Sequence, residues 1–219
     1  ETIAKEFNRA VDEAPNLTRG PILQLTPPYA PGSTAQELIR EDVLHESFRS
    51  LEHAFPLERP LYRHQENALR KVRDGRNLIV STGTGSGKTE SFLIPIIDEL
   101  LRDQAAGSLG PGVRALLLYP MNALANDQAG RLAALLTRHE ELKGITAGLY
   151  TGQQTESRTT VSAAGLITDR AVLREDPPDL LLTNYKMLDQ LLLRPDDQGI
   201  WRASALSLQY LVLDEFHTY

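Results

Sequence analysis

The chain has 219 residues, of which 41% are hydrophobic and 24% charged, with a formal net charge of −6 and no cysteine. That length fits one sizeable α/β core with an extension, and the composition is that of a globular protein, not of a disordered or collagen-like one. The missing cysteine excludes a disulfide framework and thiolate metal sites. With no apolar run long enough to span a bilayer and no basic-then-apolar leader, it predicts a cytoplasmic protein. The negative charge argues against general coating of nucleic acid, since phosphate affinity rests on Lys and Arg, but it leaves room for a local track. The chain opens on Glu1 and stops at Tyr219 inside what reads as a strand-to-helix turn, the pattern expected of a fragment.

In chain order, residues 1–34 begin with a short polar segment and are then punctuated by Pro15, Pro21, Pro27, Pro28 and Pro31, which predicts an irregular, mostly extended arm. Leu38, Ile39, Val43, Leu44, Phe48, Leu51 and Phe55 fall near helical spacing, so an amphipathic helix is expected over 35–55, with Ser33 or Thr34 as its N-cap. Residues 1–55 thus form an N-terminal extension. A helix is expected over 64–74, ended by Gly75 and leading into an apolar strand over 77–81. Helical spacing returns over 88–102, where Pro95 predicts a kink or local break, and a Gly/Pro loop at 107–112 ends it. Strand 113–119, helix 121–138, strand 145–150, strand 179–183, helix 185–194 and strand 208–213 then alternate, which implies a parallel sheet flanked by helices, an α/β fold. Residues 151–176 are polar, with weak helical spacing only at 171–174.

The stretch Ser81-Thr82-Gly83-Thr84-Gly85-Ser86-Gly87-Lys88-Thr89 sits where an apolar segment ends and a helix begins. Glycine lets the backbone turn tightly and bring N–H groups onto phosphate oxygens, and the helix N-terminus adds positive partial charge. Thr84, Gly85, Ser86 and Gly87 would wrap the phosphates, Lys88 would neutralise the β and γ phosphates, and Thr89 would hold Mg²⁺ through its hydroxyl. A P-loop with Thr82 in place of the first glycine results. The bland reading, a Gly-rich surface turn, fits the flanking elements less well.

A second signal is independent of the first. The apolar Tyr210-Leu211-Val212-Leu213 ends in Asp214-Glu215-Phe216-His217. At the carboxyl end of a neighbouring strand, Asp214 can reach the Mg²⁺ shell, Glu215 can orient and deprotonate the attacking water, and His217 can couple nucleotide state to DNA. Alone, such a pair is as readily a solvated turn.

Asp214-Glu215-Phe216-His217 resembles the DEAD/DEAH box of superfamily 2 helicases, with Phe in the third place where Ala is usual. Leu61-Tyr62-Arg63-His64-Gln65 resembles that family's Q motif, which implies that Gln65 reads the adenine edge and hence a preference for ATP; Tyr62 stacks on the base or fills the core. Tyr119-Pro120-Met121-Asn122 resembles the start of motif Ia, Tyr150-Thr151-Gly152 motif Ib, and Leu182-Thr183-Asn184-Tyr185 the motif after it. The resemblance implies nucleic-acid contacts at Pro120, Asn122, Thr151, Gly152, Thr183 and Asn184, made to sugar and phosphate and so without sequence specificity. Asn122 and Thr183 are equally residues that cap helices. Trp201 reads as closing a loop onto the core, and His45, His53 and His139 lack metal-ligand spacing.

The resemblance covers residues 56–219 and implies a RecA-like ATP-binding lobe, cut after the DEAH-like box. The third-place aromatic, the following His-Thr-Tyr and the stretch Leu25-Thr26-Pro27-Pro28-Tyr29 are similar to large bacterial helicases, both the DrmA-type helicase subunit of DISARM anti-phage systems and the mitomycin-repair branch. It implies an ATP- and Mg²⁺-dependent DNA helicase or translocase, with DNA, a second RecA-like lobe and a defence-system subunit as partners and no membrane. The lobe alone would then hydrolyse ATP poorly. A nucleotide-gated binding module and an RNA-directed DEAD-box ATPase remain the alternatives.

Overall fold

The computed structural model describes residues 2–13, 28–83, 85–153 and 156–219, which fall into two compact units, 1–30 and 31–219. In the first, helix α1 (Thr2–Glu13) sets Ile3, Phe7 and Val11 four residues apart on one stripe and pairs Arg9 with Glu13 at 2.7 Å. An irregular arm is therefore not what residues 2–13 form: the first proline stands at position 15, so nothing interrupts the helical ladder before it. Pro15, Pro21 and Leu25 to Pro27 lie outside the described residues.

The second unit opens with β1 (Pro31–Thr34), which pairs antiparallel with β2 (Pro60–Tyr62). Between them the single helix expected over 35–55 is broken. Helix α2 (Ala35–Arg40) begins at a capping box in which Thr34 and Glu37 bond reciprocally. It ends where Asp42 turns left-handed at φ 57° and the N–H groups of Val43 and Leu44 both donate to the Leu38 carbonyl. A 3₁₀ turn, Glu46–Leu51, follows. The cause lies far along the chain: Asp98 is buried in helix α4 (Lys88–Ala106), accepts the His45 N–H at 2.5 Å and binds Arg102 at 2.9 Å. Leu38, Leu44, Phe48 and Leu51 still reach the core, as their spacing predicts.

Helix α3 (Arg63–Arg73) packs on α4, which runs without an assigned break through Pro95. The remaining elements are β3 (Ala115–Tyr119), α5 (Asn122–Arg138), β4 (Ala147–Tyr150), α6 (Arg170–Glu175), β5 (Leu180–Asn184), α7 (Tyr185–Leu193), α8 (Gln198–Ala203) and β6 (Tyr210–Leu213). Among the described residues the strands form a four-stranded sheet, entirely parallel, in the order β4-β5-β3-β6. Side-chain parity sorts its two faces. Leu117, Tyr119, Leu149, Leu180 and Leu182 join α4, α5 and residues 35–51 in one cluster, while Leu116, Leu118, Tyr150 and Leu181 join α6, α7 and α8 in the other. A Cβ at Gly148 would run into Leu173 and Pro178, so glycine lets α6 approach β4 closely. Trp201 packs on this second cluster and donates to the Leu191 carbonyl at 2.8 Å.

Two segments differ from their sequence reading. Residues 77–81 belong to no strand, and Ile79 is 86% exposed. A strand exists only through a neighbour that takes its N–H and C=O groups, and no described strand reaches this segment; β6 is correspondingly an edge, with Leu211 and Leu213 exposed. Residues 156–169 form an ordered loop that returns to the sheet: Ile167 exchanges hydrogen bonds with Leu149 (2.8 Å) and Ala147 (3.0 Å) beside β4.

Because Asp98 serves the His45 N–H, Arg102 and, at 3.9 Å, Arg73 at once, Asp98→Ala is expected to cost about 2 kcal/mol and to lower Tm by about 4–8 °C in thermal unfolding. An unchanged Tm would show that the α2 break has another cause.

Candidate nucleotide and nucleic-acid site

The phosphate loop is held from below by the first turn of α3. Gly87, the N-cap of α4, is left-handed at φ 70°, and its carbonyl accepts from Gln65 Nε2 at 3.0 Å. The Ser86 carbonyl accepts from His64 Nε2 at 2.8 Å; since a carbonyl can only accept, Nε2 carries the proton. Ser86 is buried and its hydroxyl bonds Thr82 Oγ1 at 2.6 Å. In a trans peptide the C=O of one residue and the N–H of the next point opposite ways. The two carbonyls held toward α3 therefore aim the N–H groups of Gly87 and Lys88 away from it, where a phosphate would sit. At the φ of Gly87 any side chain would be strained, and a Cβ would also push against Gln65 Nε2, the group that holds the loop, and Glu90 Oε2. Thr84 lies outside the described residues.

Gln65 is buried, and its Oε1 accepts from the Tyr62 N–H at 2.8 Å. Contact with an adenine edge thus falls to its second amide hydrogen and second lone pair. Tyr62 stacks on His64 at a centroid distance of 5.7 Å. Beside them a cavity of about 300 Å³ is lined by Phe55, Arg59, Tyr62, Gln65, Gly85 and Gly87. Lys88 and Thr89 open α4 next to it, half-buried.

Asp214 follows β6, and its N–H donates to the Leu118 carbonyl at 3.0 Å, continuing the ladder with β3. Burial pushes its carboxyl above the usual carboxylate range and the Glu215 charge adds to this, while the Glu215 N–H and the Lys88 ammonium pull the other way. Lys88 and Asp214, distant in sequence, therefore share one electrostatic site. Glu215 is left-handed at φ 50°, a conformation that costs a non-glycine residue roughly 1 kcal/mol. It turns the chain into the 3₁₀ turn Phe216–Thr218, fastened by Thr218 to the Glu215 carbonyl at 2.8 Å and 2.9 Å. The exposed His217 stands 3.5 Å from the Glu215 carboxylate.

The DEAD/DEAH box helicase model matches residues 62–219, the span from the Tyr62 corner through the acidic turn. The chain belongs to the DEAD/DEAH box helicase family. It is 28% identical to Druantia protein DruE of Escherichia coli over all of this chain and 17% of that protein. It is 32% identical to the ATP-dependent helicase Lhr-Core of Methanothermobacter thermautotrophicus over 70% of this chain and 17% of that one. The chain thus spans about a sixth of the length of these relatives. Its fold matches the crystal structure of the DUF1998 helicase MrfA bound to DNA and AMPPNP with a TM-score of 0.63 and 24% identity, covering 89% of this chain and 23% of that one. These similarities agree with the superfamily 2 resemblance of the motifs. It is a helicase-family ATP-dependent domain with a RecA-like fold.

Within this helicase lobe the residues expected to meet nucleic acid line the carboxyl ends of β3, β4 and β5, but not equally. Asn184 caps α7 through Met187 N–H (2.8 Å) and donates to Asn122 Oδ1 at 2.6 Å, tying the ends of β5 and α5 together. Asn122 is the first residue of α5, not its cap, and follows the half-buried Pro120 and exposed Met121. Gly152 is exposed and Thr151 buried. Thr183 departs from its expected role. It is fully buried, and its hydroxyl donates to the Tyr150 carbonyl at 2.6 Å, so it joins β5 to β4 and does not present itself to a ligand. Two features carried no sequence signal: the Glu90–Arg131 ion pair (3.7 Å) joining α4 to α5, and a cavity of about 170 Å³ beneath it, reaching Thr89 and Tyr119. His64 stood next to Gln65 in the motif and was missed because its partner is a carbonyl.

No helix among the described residues is long and apolar enough to cross a membrane. Nor do the described residues contain a cluster of three or more His, Cys, Asp or Glu able to hold a metal ion. A donor set of one hydroxyl and one carboxylate suits a magnesium ion that takes its remaining oxygens from water and phosphate.

A group whose native pKa is raised adds stability below its unfolded pKa and loses it as pH rises through the native value. Asp214→Asn is accordingly expected to raise Tm at neutral pH in the absence of nucleotide and Mg²⁺, with the difference shrinking as pH falls into the acid range. Differential scanning calorimetry across pH reads this; a variant less stable than wild type at neutral pH contradicts it.

Proposed function

We propose that this chain is the ATP-binding lobe of a DNA helicase or translocase that couples ATP hydrolysis to movement along a strand. The observation that carries the reading is that Lys88, at the start of α4, acts electrostatically on Asp214 after β6, while the loop just before Lys88 lines a cavity of about 300 Å³ together with Tyr62 and Gln65. The base lies against Tyr62 and Gln65, and Gly85 to Lys88 wrap the phosphates. Thr89 and Asp214 would hold Mg²⁺, which would neutralise charge on the phosphates. Lys88 holds the β and γ phosphates. Glu215, aimed by its left-handed backbone, orients the attacking water and takes its proton, and His217 beside it passes the nucleotide state outward.

Pro120, Asn122, Gly152 and Asn184 position a DNA strand by its backbone across the carboxyl edge of the sheet. Thr151 contributes its backbone there, and Thr183 supports it from within. Movement requires a second RecA-like lobe to close over the nucleotide, and its arginine finger contributes roughly 10³ to 10⁵ in rate in P-loop NTPases. The resemblance to DISARM-type helicases supports a role of the longer, cytoplasmic protein in anti-phage defence with a partner subunit.

The test is the ATPase rate of the full-length protein without nucleic acid and with single-stranded DNA, duplex DNA or RNA. DNA is expected to stimulate most, Glu215→Gln to lower the stimulated rate by about 10² to 10⁴, and Lys88→Ala to abolish it with the fold intact. Stimulation by RNA alone would redirect the assignment to RNA. Indifference to every nucleic acid would leave a nucleotide-gated module.

A further inference from the structure

The loop 156–169 and the short helix after it were not absorbed by the nucleotide chemistry, yet they return the chain to the Thr151–Gly152 turn. The contact is made by Arg170. Its side chain lies over the Tyr150 ring, 5.4 Å from the centroid, and its NH2 donates to the Thr151 carbonyl at 3.3 Å. The ring under it is fixed from behind. Tyr150 donates its hydroxyl to Asp197 at 2.9 Å, Asp197 is fully buried, and Arg174 binds both, at 2.6 Å to Asp197 and 3.2 Å to the Tyr150 hydroxyl. A cation held over an anchored aromatic ring loses less conformational freedom on binding than a free surface arginine.

Arg170 is exposed, and among the described residues no carboxylate pairs with it. The neighbouring Asp169 is already occupied: one oxygen accepts from the Ala171 and Val172 N–H groups, the other from Ser157 at 2.6 Å. Those bonds also use the N–H groups of the first turn of α6, so the available donor is the guanidinium and not the helix end. A few residues along the chain Gly152 is exposed. A guanidinium that spends one N–H on a carbonyl and pairs with no carboxylate has donors left over, which suits a phosphodiester oxygen.

We propose that Arg170, seated on Tyr150 beside the Thr151–Gly152 turn, is a phosphate-binding residue for the DNA strand at the carboxyl ends of β4 and β5. This rests on the proposed function, and it assigns to the segment after β4 a direct part in gripping the strand. The guanidinium keeps its stack on the ring and offers its remaining N–H groups to one phosphate. Because it reads backbone and not base, its contribution is the same for every sequence.

The experiment measures binding of the full-length protein to a single-stranded oligonucleotide across salt concentrations, together with ATPase rate as a function of DNA concentration, for wild type, Arg170→Gln and Arg170→Lys. Arg170→Gln is expected to lower the slope of log affinity against log salt by about 0.7, the value for one phosphate on a single strand. It is also expected to raise the half-stimulating DNA concentration roughly threefold to tenfold, with the maximal rate and the DNA-free rate unchanged. Arg170→Lys should restore the slope while recovering only part of the affinity, since the charge returns without the planar stack. A wild type that binds DNA while Arg170→Gln matches its slope and affinity overturns this inference alone. A fall in maximal rate without a change in slope overturns it too, by showing a positioning role. A wild type that binds no DNA overturns the proposed function along with it.

Discussion

Two hydrogen bonds set the direction of the phosphate loop, and the nucleotide site depends on them. His64 and Gln65 each hold a loop carbonyl, of Ser86 and Gly87. Peptide planarity then dictates where the following N–H groups point. Both donors sit in the first turn of α3, and α3 is oriented by the β1–β2 pair and by Glu66, which accepts from the Ser33 N–H at 2.7 Å and pairs with Arg70 at 2.9 Å. The segment before the lobe is therefore not an appendage to the ATP site. Residues 31–51 share a hydrophobic cluster with α4, and Asp98 on α4 holds their turn in place.

The electrostatics of the site follow from the same placement. Asp214 is lifted out of the usual carboxylate range by burial, and Lys88, arriving at the start of α4, opposes that lift. Without a bound cation the pair stabilises the fold less than a neutral residue would, because desolvation outweighs the single attraction. Sites that wait for charge are commonly built so. The arrangement is costly when empty, and the left-handed Glu215 adds a further backbone cost at the same turn.

Legibility in the sequence followed the range of the forces involved. Strand β3 and helix α5 were readable because their patterns are local, and the phosphate loop because its chemistry is confined to nine consecutive residues. Residues 77–81 carry an equally strong apolar pattern, but pairing is a relation between two segments and periodicity within one cannot supply it. The break in 35–55 was hidden because its cause, Asp98, lies 53 residues from His45. Thr183 shows a different limit. Its residue type suits phosphate contact, but it has the parity of Leu181, whose face packs on α7 and α8, and parity decides which side of a sheet a hydroxyl sees.

The register of the sheet constrains how nucleotide and strand can communicate. Leu118 pairs with Leu213 on one side and with Thr183 on the other, so Asp214, just past β6, and Asn184, the last residue of β5, lie at the same level with only β3 between them. Neighbouring strands lie roughly 4.8 Å apart, which puts the two ends about two strand spacings from each other across a buried, hydrogen-bonded ladder. A packed sheet of this kind does not deform gradually. Relative motion must then be carried by the turns that leave it: the strained Glu215 turn on one side, and on the other the Asn184–Asn122 bond and the Arg170 stack on Tyr150. On the proposed function, changes in nucleotide state would reach a DNA strand through these few contacts, with the sheet as the fixed frame against which they move.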